Sequence, residues 1–96
     1  MDARKCRTGY VWREAYSGDY VCVDPSQRDQ AAADNAAAAS RVDPNGAYGP
    51  NTCVQGYVWR EARPSDLVCV EPWVRAQVAQ DNAAANDRVK MVRLDD

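Results

Sequence analysis

Polar and apolar positions alternate along Tyr10-Val11-Trp12-Arg13-Glu14-Ala15. In an extended strand this puts Tyr10, Trp12 and Glu14 on one side and Val11, Arg13 and Ala15 on the other. Tyr16-Ser17-Gly18-Asp19 has turn chemistry, and Tyr20-Val21-Cys22-Val23 is a second short run of β-formers. The pattern predicts a β-hairpin. Asp24-Pro25 then opens a helical stretch: a proline at the first helical position gives up no hydrogen bond, and the acid before it suits the helix dipole. The helix is expected to run to about Val42, where Asp43-Pro44-Asn45-Gly46 stops it. On it, Ala31, Ala32, Asn35, Ala38, Ala39 and Val42 form a small-residue stripe. Gln30, Asp34, Ala37 and Arg41 form a polar one.

The whole pattern is then written again. Cys6–Val42 and Cys53–Val89 align without a gap at an offset of 47 residues, with 23 of 37 positions identical. Such a repeat defines the folding unit. The second copy carries the hairpin Tyr57-Val58-Trp59-Arg60-Glu61-Ala62 and a helix from Pro72, expected to reach Arg93. Its polar stripe is unchanged as Gln77, Asp81, Ala84 and Arg88, whereas Asp29 has become Ala76 and Ser40 has become Asp87. A purely solvated face would have drifted, so the polar stripe is expected to touch a hairpin, of its own copy or of the other.

Composition sharpens this picture. Sixteen of the apolar residues are alanine, Phe and Ile are absent, and leucine occurs only at Leu67 and Leu94. Bulky burial must come from valine, three tryptophans and five tyrosines. Each copy is close to the size at which a core needs a covalent staple. A net charge of −2 with scattered Lys and Arg argues against nucleic acid, which demands a basic face. No apolar run approaches the ~20 residues that span a bilayer, so no membrane insertion is expected.

Four cysteines occur, two per copy at matching places. A unit that duplicates carries its own partner, which selects Cys6–Cys22 and Cys53–Cys69 among the three connectivities. Zinc would want CxxC-type spacing, but the paired cysteines stand sixteen apart and His is absent. Each disulfide loop should contribute about 3 kcal/mol through the unfolded state. Disulfides place the protein in an oxidising compartment, so it is expected to be secreted.

The candidate binding surface is the recurring segment: Tyr10, Trp12, Arg13 and Glu14, with Tyr57, Trp59, Arg60 and Glu61. Tyr and Trp on one strand face, beside Arg and Glu, can stack a sugar ring and bond its hydroxyls, or anchor a protein. The bland reading has Trp12 and Trp59 filling the space between hairpin and helix, with Arg13 and Glu14 pairing to Asp34 and Arg41. Scarcity of other large apolar residues favours that reading for the tryptophans. Asn35 and Asn82 are expected to satisfy backbone groups of an adjacent loop. Without His, free Cys or a serine motif, no catalytic set, metal site or cofactor is expected.

The string Cys-x-x-Gly-Tyr-Val-Trp-Arg-Glu-Ala, then Asp-x-Val-Cys-Val-x-Pro, then Asp-Asn resembles a repeat of secreted actinobacterial proteins, over Cys6–Val89. That resemblance implies export and modularity and assigns no activity. The sequence therefore predicts an α+β tandem of disulfide-closed hairpin plus Ala-rich helix, the two helices packed as a pseudo-two-fold pair. Repeat one is 1–46; linker and repeat two are 47–96. The expected function is a small secreted non-catalytic binding module for a glycan or cell-envelope polymer. The rival is a structural or protein-interaction module, an inhibitor or self-associating spacer, with an extracellular protein or a second copy of itself as partner.

Overall fold

The computed structural model describes residues 5–90. In each copy the hairpin forms where the alternation placed it. β1 (Val11–Trp12) pairs antiparallel with β2 (Cys22–Val23), Val11 opposite Val23. In the second copy β5 (Val58–Trp59) pairs with β6 (Cys69–Val70) in the same register. A turn across Arg7–Tyr10 leads into the first strand, closed by Tyr10 N–H to the Arg7 carbonyl; Gly9 takes φ +95° there, a conformation that needs glycine. Disulfides Cys6–Cys22 and Cys53–Cys69 close the two units.

The helices begin as expected, α1 at Pro25 and α2 at Pro72. The Asp24 carbonyl accepts the Gln27 N–H at 2.8 Å and the Glu71 carbonyl accepts the Val74 N–H at 2.9 Å. Both helices end sooner than the alanine content suggests. α1 (Pro25–Ala37) and α2 (Pro72–Ala84) tighten into 3-10 turns, Ala38–Arg41 and Ala85–Arg88. The expected ends at Val42 and Arg93 are thus corrected; positions 91–93 lie outside the described residues. Helix propensity loses here to tertiary pairing.

What the chain does after each helix explains why. β3 (Val42–Asp43) leaves the first copy and pairs with β4 (Thr52–Cys53) of the second. Reciprocally, Val89 bridges to Cys6 and Lys90 N–H donates to the Lys5 carbonyl. Each copy's tail completes the other's hairpin. The side chains follow the same rule: Arg41 Nη1 donates to the Cys69 carbonyl, and Arg88 Nη1 to the Cys22 carbonyl, both at 3.2 Å. The fold is an α+β tandem of hairpin plus helix about a pseudo-two-fold axis. Contrary to expectation, the two helices do not pack on each other: α1 and α2 lie on their own hairpins, and the copies join where each 3-10 end meets the opposite hairpin. Tyr16 and Arg63 are the same position in the two copies, and they meet across that axis, the guanidinium 3.8 Å from the ring centroid.

The polar stripe touches a hairpin as expected, that of the opposite copy, through Arg41 and Arg88. Ala31 and Asp34 are buried on α1, and Val74, Val78 and Asp81 on α2, while Ala32, Asn35 and Ala39 are exposed. The inner face thus runs between the two stripes, taking Ala31 and Val78 from the small-residue one and Asp34 and Asp81 from the polar one. Gln30 and Arg41 both bond to Asp34, and Gln77 and Arg88 to Asp81. These bonds to the aspartates, set against burial, raise the Arg41 and Arg88 pKa values above the ordinary arginine range.

The centre of the molecule is charged. Its largest fully buried side chains are Arg13 and Arg60, ahead of Val23 and Val70. Arg13 forks onto Asp19, with Nε to Oδ2 at 2.7 Å and Nη2 to Oδ1 at 3.2 Å; Arg60 repeats both distances on Asp66. Each aspartate also accepts two backbone N–H groups, Asp19 from Ala15 and Val21, Asp66 from Ala62 and Val68. The Arg13–Asp19 and Arg60–Asp66 pairs therefore also tie their hairpin turns shut. Burial works to raise the Asp66 carboxyl, but the Arg60 bond and the Ala62 and Val68 amides outweigh it, holding the pKa below its ordinary value. Across the axis, Arg13 Nη1 donates to Asn82 Oδ1 at 2.9 Å, and Arg60 Nη2 lies 3.5 Å from the Ala15 carbonyl. Asn35 and Asn82 bond to the Ala15 and Ala62 carbonyls of their own hairpins.

Candidate functional site

The eight residues singled out in the sequence divide into two sets. Arg13 and Arg60 are 1% exposed and lie in the interior. They pair with Asp19 and Asp66, six residues on across the turn, so Arg13 does not reach the expected Asp34, and Glu14 faces Arg28 instead of Arg41. Of the remaining six, Tyr10, Trp12 and Glu14 line one groove and Tyr57 and Trp59 a second, while Glu61 stands just outside that second lining, paired with its Arg75. Trp12 and Trp59 are half-buried rather than filling the core, so each indole keeps a face toward a groove.

Groove one is floored by Cys6, Tyr10, Val11 and Trp12, with Arg28 from α1 at its edge, and has a volume of about 400 Å³. Groove two holds the equivalent Cys53, Tyr57, Val58, Trp59 and Arg75 in about 240 Å³. Arg28 faces Glu14 at 3.7 Å and Arg75 faces Glu61 at 3.5 Å, all four side chains near half-exposed. Such surface pairs stabilise little, at most about 1 kcal/mol, and their partners are free to turn toward a ligand.

Pairing of the copies is what sets the tyrosines. Arg88 covers one face of Tyr10 at 4.9 Å, and Arg41 covers Tyr57 at 4.8 Å. Each groove is thus oriented by the opposite copy. At each rim the backbone is strained in the same way: Glu14 and Glu61 both hold φ +55°, a left-handed conformation uncommon for glutamate.

The two grooves are finished differently. In copy one Trp12 meets Tyr20 edge-on, with ring centroids 4.6 Å apart. In copy two the place of Tyr20 is taken by Leu67, and the linker supplies the aromatic partner instead. Tyr48 stands 78% exposed and edge-on to Trp59 at 6.4 Å. The Trp59 indole N–H donates to the Asn51 carbonyl at 2.8 Å. Sequence reasoning missed Tyr48 because the linker lies outside the repeat. It missed Arg28 and Arg75 although both stand three residues after the helix-opening proline, an identity between copies that could have flagged them.

Among the described residues no group of three or more His, Cys, Asp or Glu is placed to hold a metal ion. No helix among them is long and apolar enough to cross a membrane. No family model, curated protein or solved structure matches this chain.

Proposed function

We propose that this protein is a secreted, non-catalytic binding module whose ligand is an extended polysaccharide, free or part of a cell envelope. The observation that carries this reading is the duplicated groove: the same Tyr–Trp floor, helix arginine and left-handed glutamate, presented twice on a disulfide-closed scaffold. Aromatic rings suit the apolar face of a pyranose, and the arginine–glutamate pair suits its hydroxyls. Two weak subsites on one chain gain avidity on a repetitive polymer that neither has alone. The two disulfides favour an oxidising, extracellular setting.

Retention of the protein by insoluble polysaccharides and purified cell walls, with tryptophan fluorescence as the readout, tests the proposal. Retention by at least one polymer with a fluorescence change is expected. No retention by any of them would remove it and leave the second reading, a protein-interaction or self-associating module. That reading draws on Trp73, which is 52% exposed on α2 and has no counterpart in copy one, where Ser26 stands.

A further inference from the structure

The two grooves share a floor and differ in charge and in one wall. Groove one carries Lys5 beside Arg28 and Glu14, so its formal charges are two positive against one negative. In groove two Thr52 holds the place of Lys5, and the one charged side chain of the lining, Arg75, is compensated at 3.5 Å by Glu61 just outside it. The added wall is Tyr48, and the loop that presents it is closely held. Tyr48 N–H donates to Thr52 Oγ1 at 2.8 Å, and that hydroxyl donates to the Gly49 carbonyl at 2.7 Å. Gly46 packs so tightly that an added Cβ would overlap the Thr52 side chain. The same loop fixes the indole of Trp59 through the Asn51 carbonyl. One ordered segment therefore fixes the Trp59 indole and the backbone from which the exposed Tyr48 ring projects, which lowers the ordering cost of binding.

Resting on the binding-module reading, we propose that groove two is the leading subsite, that it takes an uncharged sugar ring, and that Tyr48 is the residue that makes it so. A neutral ring can lay its C–H face on Trp59, edge against Tyr48, and draw hydroxyl bonds from the half-exposed Arg75 and Glu61. An ionised ring would enter a groove whose charges already compensate each other, losing hydration without gaining a partner. Groove one, with its extra cation and no linker wall, is the weaker neighbour for a neutral polymer.

The three tryptophan indole N–H signals of the full ¹⁵N-labelled chain report on this directly. The probes are cellohexaose and chitohexaose as neutral oligosaccharides, and an oligogalacturonate of similar length as the acidic one. With a neutral probe the Trp59 signal should move at a concentration about tenfold below that needed for Trp12, a difference of about 1.4 kcal/mol and within the reach of one aromatic contact. Tyr48→Ala should raise the Trp59 concentration about tenfold and leave Trp12 where it was, and Tyr48→Phe should restore the parent response. Trp12 and Trp59 moving together, with Tyr48→Ala silent, would overturn the inference and leave the binding-module reading standing. Response to the acidic probe alone would overturn the choice of ligand class. If no indole signal moves with any probe, the inference falls together with the reading beneath it.

Discussion

Copy one and copy two hold the same interior and wear different surfaces. Arg13–Asp19 and Arg60–Asp66 superpose in kind and distance, as do the contacts of Arg41 and Arg88 with the opposite hairpin. Away from these the copies diverge. Copy two packs Ala62, Val70, Val74 and Val78 into an apolar cluster that Tyr16 of copy one joins. Copy one has Gln27 and Ala31 where Val74 and Val78 stand. The positions left unchanged are largely those that reach the other copy or line a groove. Unlike residues at the axis, Tyr16 and Arg63, can pair because equivalent positions face each other there.

The largest effect should come from breaking one buried arginine–aspartate pair. Arg13→Met or Arg60→Met strands a buried carboxylate and should cost roughly 3–5 kcal/mol in urea unfolding. Arg13→Met should be the worse of the two, because Arg13 Nη1 also bonds Asn82, whereas Arg60 Nη1 is buried and makes no hydrogen bond among the described residues. A loss under about 1 kcal/mol would show the pairs to be solvent-screened. The acid limb follows from the same pair. The Asp66 carboxyl is held below its ordinary value of 3.8, so its contribution is present above that pH and fades as pH falls through the lowered folded value. Thermal midpoints should therefore drop from about pH 4 downward, and Asp66→Asn, already destabilised at neutral pH, should show a shallower drop.

The asparagines sharpen the comparison at a smaller scale. Asn82 serves the Ala62 carbonyl and Arg13, while Asn35 serves the Ala15 carbonyl. Asn82→Ala should cost roughly 1–3 kcal/mol and Asn35→Ala distinctly less, as read by chemical denaturation. Equal losses would mean that the Arg13 contact adds nothing.

The axis gives the smallest and most diagnostic change. Arg63→Tyr removes the cation and should cost about 0.5–1 kcal/mol. Tyr16→Arg places two guanidiniums face to face and also gives up the packing of Tyr16 on the copy-two cluster, so it should cost more. The exchanged variant Tyr16→Arg/Arg63→Tyr rebuilds the cation–ring pair in the opposite sense and should lose less than the sum of the two single changes, short of the parent only by the packing of Tyr16 on the copy-two apolar cluster. A double variant showing the sum of both losses would mean the two positions are not related by the axis.

Much of the architecture was legible in the sequence. Duplication paired the cysteines, alternation placed both hairpins, and Asp24-Pro25 and Glu71-Pro72 opened both helices where they begin. The rest depended on contacts that no local pattern encodes. Asp19 stands six residues from Arg13 across a turn, a spacing with no helical or strand meaning until the hairpin closes. Helix ends were overestimated because the pairing of Val42 with Cys53 is a long-range event. With Arg13 taking the inner side of the strand, Trp12 is left half-exposed; an alternation of sides does not say which side is buried. Of the grooves, the Tyr–Trp floor was visible and the linker wall was not.

Removing the tyrosine from each groove in turn puts the account at greatest risk. Tyr10→Ala, Tyr57→Ala and the double variant would be compared with the parent for retention on whichever polysaccharide the parent binds, with circular dichroism as the check on folding. Tyrosine is the residue to remove because it lines the groove without belonging to the buried centre. Tyr57→Ala should weaken binding more than Tyr10→Ala, and the double variant should lose retention with an unchanged spectrum. A folded double variant that is retained as well as the parent would contradict the account, leaving the duplicated Tyr–Trp run as packing for the joint between the copies.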